Sequence, residues 1–112
     1  MALCGLIHIV AGNQIVGGLK MAAENKIELY LNLRVKTLKG MTRKLRFLDR
    51  RGAPDRWIWI PGWVWPKLVE LKAPGKPLEE HQAREHKRLK VTGVKCVKLD
   101  SFEDVDRFLR TK

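Results

Sequence analysis

Arg51-Gly-Ala-Pro-Asp55 and Leu68-Val-Glu-Leu-Lys-Ala-Pro-Gly75 are the stretches that decide the fold of this chain. Between them lie Arg56 to Ile60, rich in Trp and Ile, the turn dipeptide Pro61-Gly62, and a second apolar run from Trp63 to Lys72. Aromatic and β-branched runs on either side of a turn signal predict a β-hairpin. With a two-residue turn, Ile60 opposes Trp63, Trp57 opposes Pro66 and Asp55 opposes Leu68. Paired residues project to the same face, and so do residues two apart on one strand. Asp55 therefore shares a face with Leu68, Glu70 and Lys72. Pro66 lacks a backbone donor and marks a bulge or an unpaired edge, the one place where this register can shift.

Upstream, Ala22 to Lys39 repeats Ile27, Leu31, Val35 and Leu38 on one helical face. Glu24 and Glu28, four apart, project together from its first turns, where carboxylates also suit the helix dipole. Gly40 is a stop signal. Met41 to Leu48 alternates as a strand, and Arg50 to Pro54 is a loop by composition. Downstream, Ala73 to Pro77 breaks the hairpin strand and leads to a helix from Leu78 to Lys90. Gly93 introduces a strand from Val94 to Leu99. Ser101 then caps a last helix, with Asp104 at the capping-box position and Val105, Phe108 and Leu109 inward. The order is α-β-β-β-α-β-α. Trp63 and Trp65 fall on the face of Ile58 and Ile60 and suit the core. Trp57 and Trp59 fall on the Asp55 face, where a base can stack.

At 112 residues with 45% hydrophobic content, the chain is one domain with a real core. Its net charge is +11. The excess is densest from Arg34 to Arg56, where Arg34, Lys36, Lys39, Arg43, Lys44, Arg46, Arg50, Arg51 and Arg56 face only Asp49 and Asp55. Such a cluster suits a polyanion, because bound phosphates release condensed counterions. Arg43, Lys44, Arg46, Arg50, Arg51 and Arg56 are the candidate nucleic-acid contacts. No stretch is long enough to span a membrane, and no basic amphipathic helix with an aromatic face suggests a membrane partner. Cys4 and Cys96 read as free thiols of a reducing compartment. His8, His81 and His86 form no metal-binding motif. Residues 1–20 read as a leader without a polar face, and Met21-Ala-Ala-Glu as the native start of a domain over 21–112. The mass of the natural product checks that expectation.

Two carboxylates that converge repel each other unless a cation lies between them. Hard oxygen ligands with open water positions suit Mg2+ or Mn2+. Such an ion polarises a phosphoryl oxygen and acidifies a bound water. Lys72 beside it can orient that water or offset charge on the transition state. Glu24 or Glu28 would complete the cage. Pro-Asp alone is common turn chemistry and Glu-Leu-Lys alone is common in strands; their combination with an upstream helix carboxylate is specific.

On these residues the chain resembles the VRR-NUC domain of the PD-(D/E)xK nuclease superfamily, in its small stand-alone phage and prophage form. The matching elements are Glu24-Asn-Lys-Ile-Glu28-Leu-Tyr-Leu31, Lys39-Gly40, Lys44, Arg51 to Arg56, Pro61-Gly62, Val69 to Gly75 and Leu78 through Gln82. The resemblance implies an α/β restriction-endonuclease-like fold, a central mixed sheet flanked by helices. It implies metal-dependent hydrolysis of DNA phosphodiesters, at branched structures such as Holliday junctions, by a homodimer in the cytoplasm of a bacterial or phage-infected cell. Asp55 and Glu70 become metal ligands with the Leu71 carbonyl, and Lys72 the catalytic lysine. The helix glutamate falls on Glu24, with Glu28 one turn away as the alternative, and Gln82 borders the site. Pro66 and Lys67 depart from the apolar residues usual there. A non-catalytic basic nucleic-acid-binding module retaining the fold is the alternative function. An interaction protein using its aromatic hairpin is a third.

Overall fold

The computed structural model describes residues 15–16, 19–20 and 23–111. The expected leader and the start at Met21 fall mainly outside these residues. Within that stretch, β1 (Ile15–Val16) and β2 (Leu19–Lys20) pair antiparallel. From there the order is α1 (Ala23–Thr37), β3 (Met41–Lys44), β4 (Arg56–Trp59), β5 (Lys67–Leu71), α2 (Glu80–Val91), β6 (Cys96–Leu99) and α3 (Phe102–Arg110). This is the α-β-β-β-α-β-α order read from the sequence. The sheet runs β3-β4-β5-β6, antiparallel except for the β5–β6 pair, which the α2 crossover makes parallel. It is the mixed sheet with flanking helices that the residue pattern predicts.

One sheet face carries the core. Ile58, Val69, Leu71 and Leu99 pack against Ile27, Leu31 and Val35 of α1 and Val105, Phe108 and Leu109 of α3. Each fully buried aliphatic side chain contributes roughly 1.5–3 kcal/mol. The periodic stripe of α1 is buried as expected through Val35; Leu38 lies past the helix end and is exposed. The helix ends in a Schellman motif. The Gly40 amide donates to the Val35 carbonyl at 2.8 Å and the Lys39 amide to that of Lys36 at 2.9 Å. The left-handed residue is Lys39, at φ 61°. Gly40 is required for a different reason: a Cβ there would lie 2.6 Å from both the Trp59 carbonyl oxygen and Ile60 Cδ1.

The strands are shorter than the residue pattern suggests. β3 ends at Lys44; one further bond, Leu45 amide to Asp55 carbonyl at 2.7 Å, precedes a turn with Asp49 at φ 63°. The return strand begins at Lys67, directly after Pro66, which has no amide to donate. Trp57 consequently faces Leu68 and not Pro66, two residues further on. A slip of two preserves side-chain parity, so the face assignment of Asp55, Glu70 and Lys72 survives the longer connection. Trp65 does not keep its expected place: it sits in that connection, 72% exposed, while Trp63 is buried edge-to-face on Phe108. Lys67 occupies an apolar position by laying its stem inward. Its ammonium stands 4.2 Å from the Trp63 ring centre and donates to Thr111 Oγ1 at 2.7 Å.

Ser101 caps α3 as its position predicts, with Oγ accepting from the Asp104 amide at 3.0 Å. The Asp104 carboxylate reaches back to the Asp100 amide. Among the described residues no helix is long and apolar enough to cross a membrane. Cys96 is buried and free.

Candidate active site

The candidate site lies at the end of the sheet where β4 begins and β5 leaves. Arg56 pairs with Val69, so one step further the register sets Asp55 across from Glu70. The Asp55 carboxylate is fixed by the chain itself: Oδ2 accepts from the Leu71 amide at 3.0 Å. Gly52, at φ +85°, lets the preceding loop settle on α2; a Cβ there would lie 2.5 Å from the His81 carbonyl oxygen. Asp55 and Leu71 line a recess of about 250 Å³ together with Glu24, Asn25, Glu28, Lys44 and Leu45.

Glu70 stands behind this recess, 3% exposed. Its Oε2 accepts from Gln82 Nε2 at 3.0 Å, and Lys72 Nζ is 3.9 Å away. Its Oε1 is buried with no hydrogen-bond partner among the described residues. Burial first, then the adjoining Asp55 and to a smaller extent Glu24, against the opposing Lys72, together push the Glu70 carboxyl up to about 8. Gln82 is held at both ends, because its Oε1 accepts from the Glu79 amide at 2.9 Å, closing the N-terminus of α2. The glutamine singled out from the sequence thus orients Glu70. Lys72 is itself buried, at 7% exposure.

The two helix glutamates have different surroundings. Glu28 Oε2 accepts from Arg56 Nη2 at 2.6 Å and Nε at 3.1 Å. Arg56 is buried and also donates to Thr42 Oγ1 at 3.2 Å. Glu28 is thereby held by a cation of the fold, and Arg56 is withdrawn from the basic surface. Glu24 is exposed on the same recess. Of the other candidate phosphate contacts, Arg43, Lys44, Arg46, Arg50 and Arg51 are all exposed. Trp57 and Trp59 are half-buried, with ring centres 6.3 Å apart, beside Met41 and Pro61.

Whether these residues suit a divalent cation can be judged from their own chemistry. A buried carboxylate oxygen without a partner, facing a second carboxylate, is stabilised in its charged form by a hard cation. The donor set fits. Among the described residues, however, no three Asp, Glu, His or Cys side chains stand together as a ready cage. A cation would need backbone, water or substrate oxygens to fill its shell, as Mg2+ sites commonly do.

His86 belongs to the surroundings of the site and was not singled out by motif reading. It lies four residues after Gln82 on α2, is 3% exposed, and has an Nε2 with no hydrogen-bond partner among the described residues. Burial and Lys90 favour its neutral form, against Asp55 and Glu85. Its signal in sequence is the Gln82-x-x-x-His86 spacing, which puts both side chains on one helix face.

No family model matches the chain. It is 36% identical over 83 residues, 74% of its own length and 88% of the relative's, to a protein of Acyrthosiphon pisum secondary endosymbiont phage 1 bearing the name "Putative nuclease p44". It also aligns with a solved structure described as "VRR_NUC domain", with a TM-score of 0.72 and 32% identity, over 80% of this chain and 96% of that one. The sheet order, the placement of Asp55, Glu70 and Lys72, and these two likenesses agree: the chain belongs to the VRR-NUC family.

Proposed function

We propose that the protein is a divalent-metal-dependent endonuclease that hydrolyses DNA phosphodiesters, acting as a homodimer on branched structures. The observation that carries the reading is exposed Asp55 adjoining the buried pair Glu70 and Lys72, at the edge of a recess in a strongly basic chain. Nuclease activity is supported by the family and by the relative's name.

Asp55, Glu70 and the Leu71 carbonyl would hold Mg2+ or Mn2+, with Glu24 contributing from α1, directly or through water. The bound cation supplies Lewis-acid polarisation of the scissile phosphate and lowers the pKa of water. Asp55 contributes a carboxylate pre-set by the Leu71 amide, which limits the reorganisation needed in the reaction. Gln82 holds Glu70 by one oxygen and leaves Oε1 for the ion. Lys72, buried beside Glu70, would orient the attacking water or offset negative charge developing on the phosphate. Glu28 serves the fold by neutralising Arg56. Lys44, on the recess wall, draws the substrate phosphate inward.

Dimeric action on junctions follows from the family resemblance. A small domain offers little surface for a branch, and two copies present two cutting centres. The test is a labelled four-way junction and a linear duplex incubated with Mn2+, Mg2+ or EDTA, alongside light scattering for mass. Metal-dependent cleavage favouring the junction, by a dimer, supports the reading. Salt-sensitive binding without cleavage replaces it with the non-catalytic module.

A further inference from the structure

We propose that the outer face of α2 is a second phosphate-contact surface, joined through Glu85 to the basic loop before Asp55 and shaped to carry a nucleic-acid arm beyond the cutting site. The inference rests on the nucleic-acid reading above and adds a surface distinct from the Arg43–Arg51 stretch.

The spacing on α2 comes first. Arg84, Lys87, Arg88 and Val91 recur at intervals that stack side chains on one helix face, and all four are exposed. With Thr92 they surround one shallow recess. The charges of this face are not balanced by its own acids. Arg84 bonds Glu80 at 2.8 Å and Arg88 bonds Glu85 at 3.2 Å, while Lys87 has no acidic partner among the described residues. The Arg84–Glu80 pair is solvated, and such a pair costs little to exchange for phosphate.

Glu85 makes this stripe more than an isolated charged helix. Its carboxylate is buried and shared: Oε1 accepts from Arg50 Nη2 at 2.9 Å as well as from Arg88 Nη1 at 3.2 Å. The hydrogen bond from Arg50 is the largest influence holding its carboxyl below the usual glutamate range, with Arg88 adding to it. One carboxylate therefore ties two arginines, from elements far apart in sequence, into one surface. The close approach of Gly52 to the His81 carbonyl fixes the same loop on the same helix. Arg50 of the loop and Arg88 of α2 thus meet on one carboxylate, with Arg84 and Lys87 on the same helix face as Arg88. Guanidinium and ammonium groups on a rigid helix, spaced a turn apart, match a phosphate backbone and carry no base-reading geometry.

The test compares Arg84→Gln/Lys87→Gln with a control of equal charge change on α3, Arg107→Gln/Arg110→Gln, by fluorescence anisotropy on a labelled 30-bp duplex across a salt series. Each lost phosphate contact lowers the slope of log affinity against log salt by about 0.9. The α2 double variant is expected to lose about 2 in slope and roughly 60-fold in affinity at 0.1 M salt, with the control near wild type. Equal behaviour of the two variants, whether both unchanged or both weakened, overturns the proposal. The outcome is separable from the catalytic reading: unchanged binding with intact metal-dependent cleavage removes only the α2 surface, and normal α2-dependent binding without cleavage removes only the active site.

Discussion

Replacing Glu70 by Gln should remove a fall in stability with rising pH from the metal-free protein. Glu70 is buried against Asp55, and its carboxyl is raised from 4.5 to about 8. The fold therefore favours the protonated side chain. Below the unfolded value both states are protonated and the native state carries no penalty. As pH rises from 4.5 towards 8 the unfolded chain releases a proton that the native state keeps, so stability falls across that window and stays low above it. A rise of this size corresponds to a loss on the order of 5 kcal/mol by pH 9. A glutamine at this position keeps an acceptor for Gln82 and a donor towards Asp55, but cannot ionise. In EDTA, Glu70→Gln should thus match wild type near pH 5 and melt higher at pH 9, by roughly ten degrees or more for a domain of this size. Mn2+ or Mg2+ should stabilise wild type increasingly as pH rises, since the ion binds the charged form, and should do little for the variant. Thermal melts by circular dichroism from pH 5 to 9, with EDTA or metal, supply the assay. A difference between the two proteins that is flat with pH in EDTA refutes this reasoning, because it would mean Glu70 is charged in the metal-free fold.

Three further outcomes follow from single contacts. Glu24→Ala should slow cleavage with little change in melting, whereas Glu28→Ala should lower stability by about 2 kcal/mol by leaving the buried Arg56 unpaired; cleavage rates beside melts separate the two. Gly40→Ala should cost about 2–3 kcal/mol in denaturant titration, because its Cβ meets the Trp59 carbonyl, while Lys39→Gly, relieving a left-handed lysine, should gain about 1 kcal/mol. In a Cys4→Ser background, Cys96 should react slowly with a thiol reagent at pH 8 until denaturant is added. Burial pushes its thiol up to about 11, leaving about one molecule in a thousand as thiolate.

The element order and the clustering of Asp55, Glu70 and Lys72 were legible because both depend on parity and periodicity. The hairpin register was misread by two residues, since Pro61-Gly62 suggested a tight turn where residues 60–66 form a longer connection. An even slip left every side chain of Lys67 to Lys72 on its assigned face. Trp65 lay within that connection and so lost its place in the core. The choice between Glu24 and Glu28 could not be made from spacing, because both share a helix face. Their surroundings differ through Arg56, a residue 28 positions away that turns inward and holds Glu28. Arg56 had looked like one more surface charge; it shares the buried face of β4 with Ile58, and its bonds to Glu28 show that its side chain points towards α1. His86 was silent as a motif and became visible through burial alone.

The central claim is that Asp55, Glu70 and Lys72 form one metal-dependent cutting centre. Single-turnover cleavage of a labelled four-way junction in Mn2+ by Asp55→Asn and Lys72→Met, with folding and DNA affinity measured on the same samples, tests it most directly. The expected result is a rate loss of about 100-fold or more in both variants, with affinity retained; near-wild-type cleavage by either folded variant would contradict it.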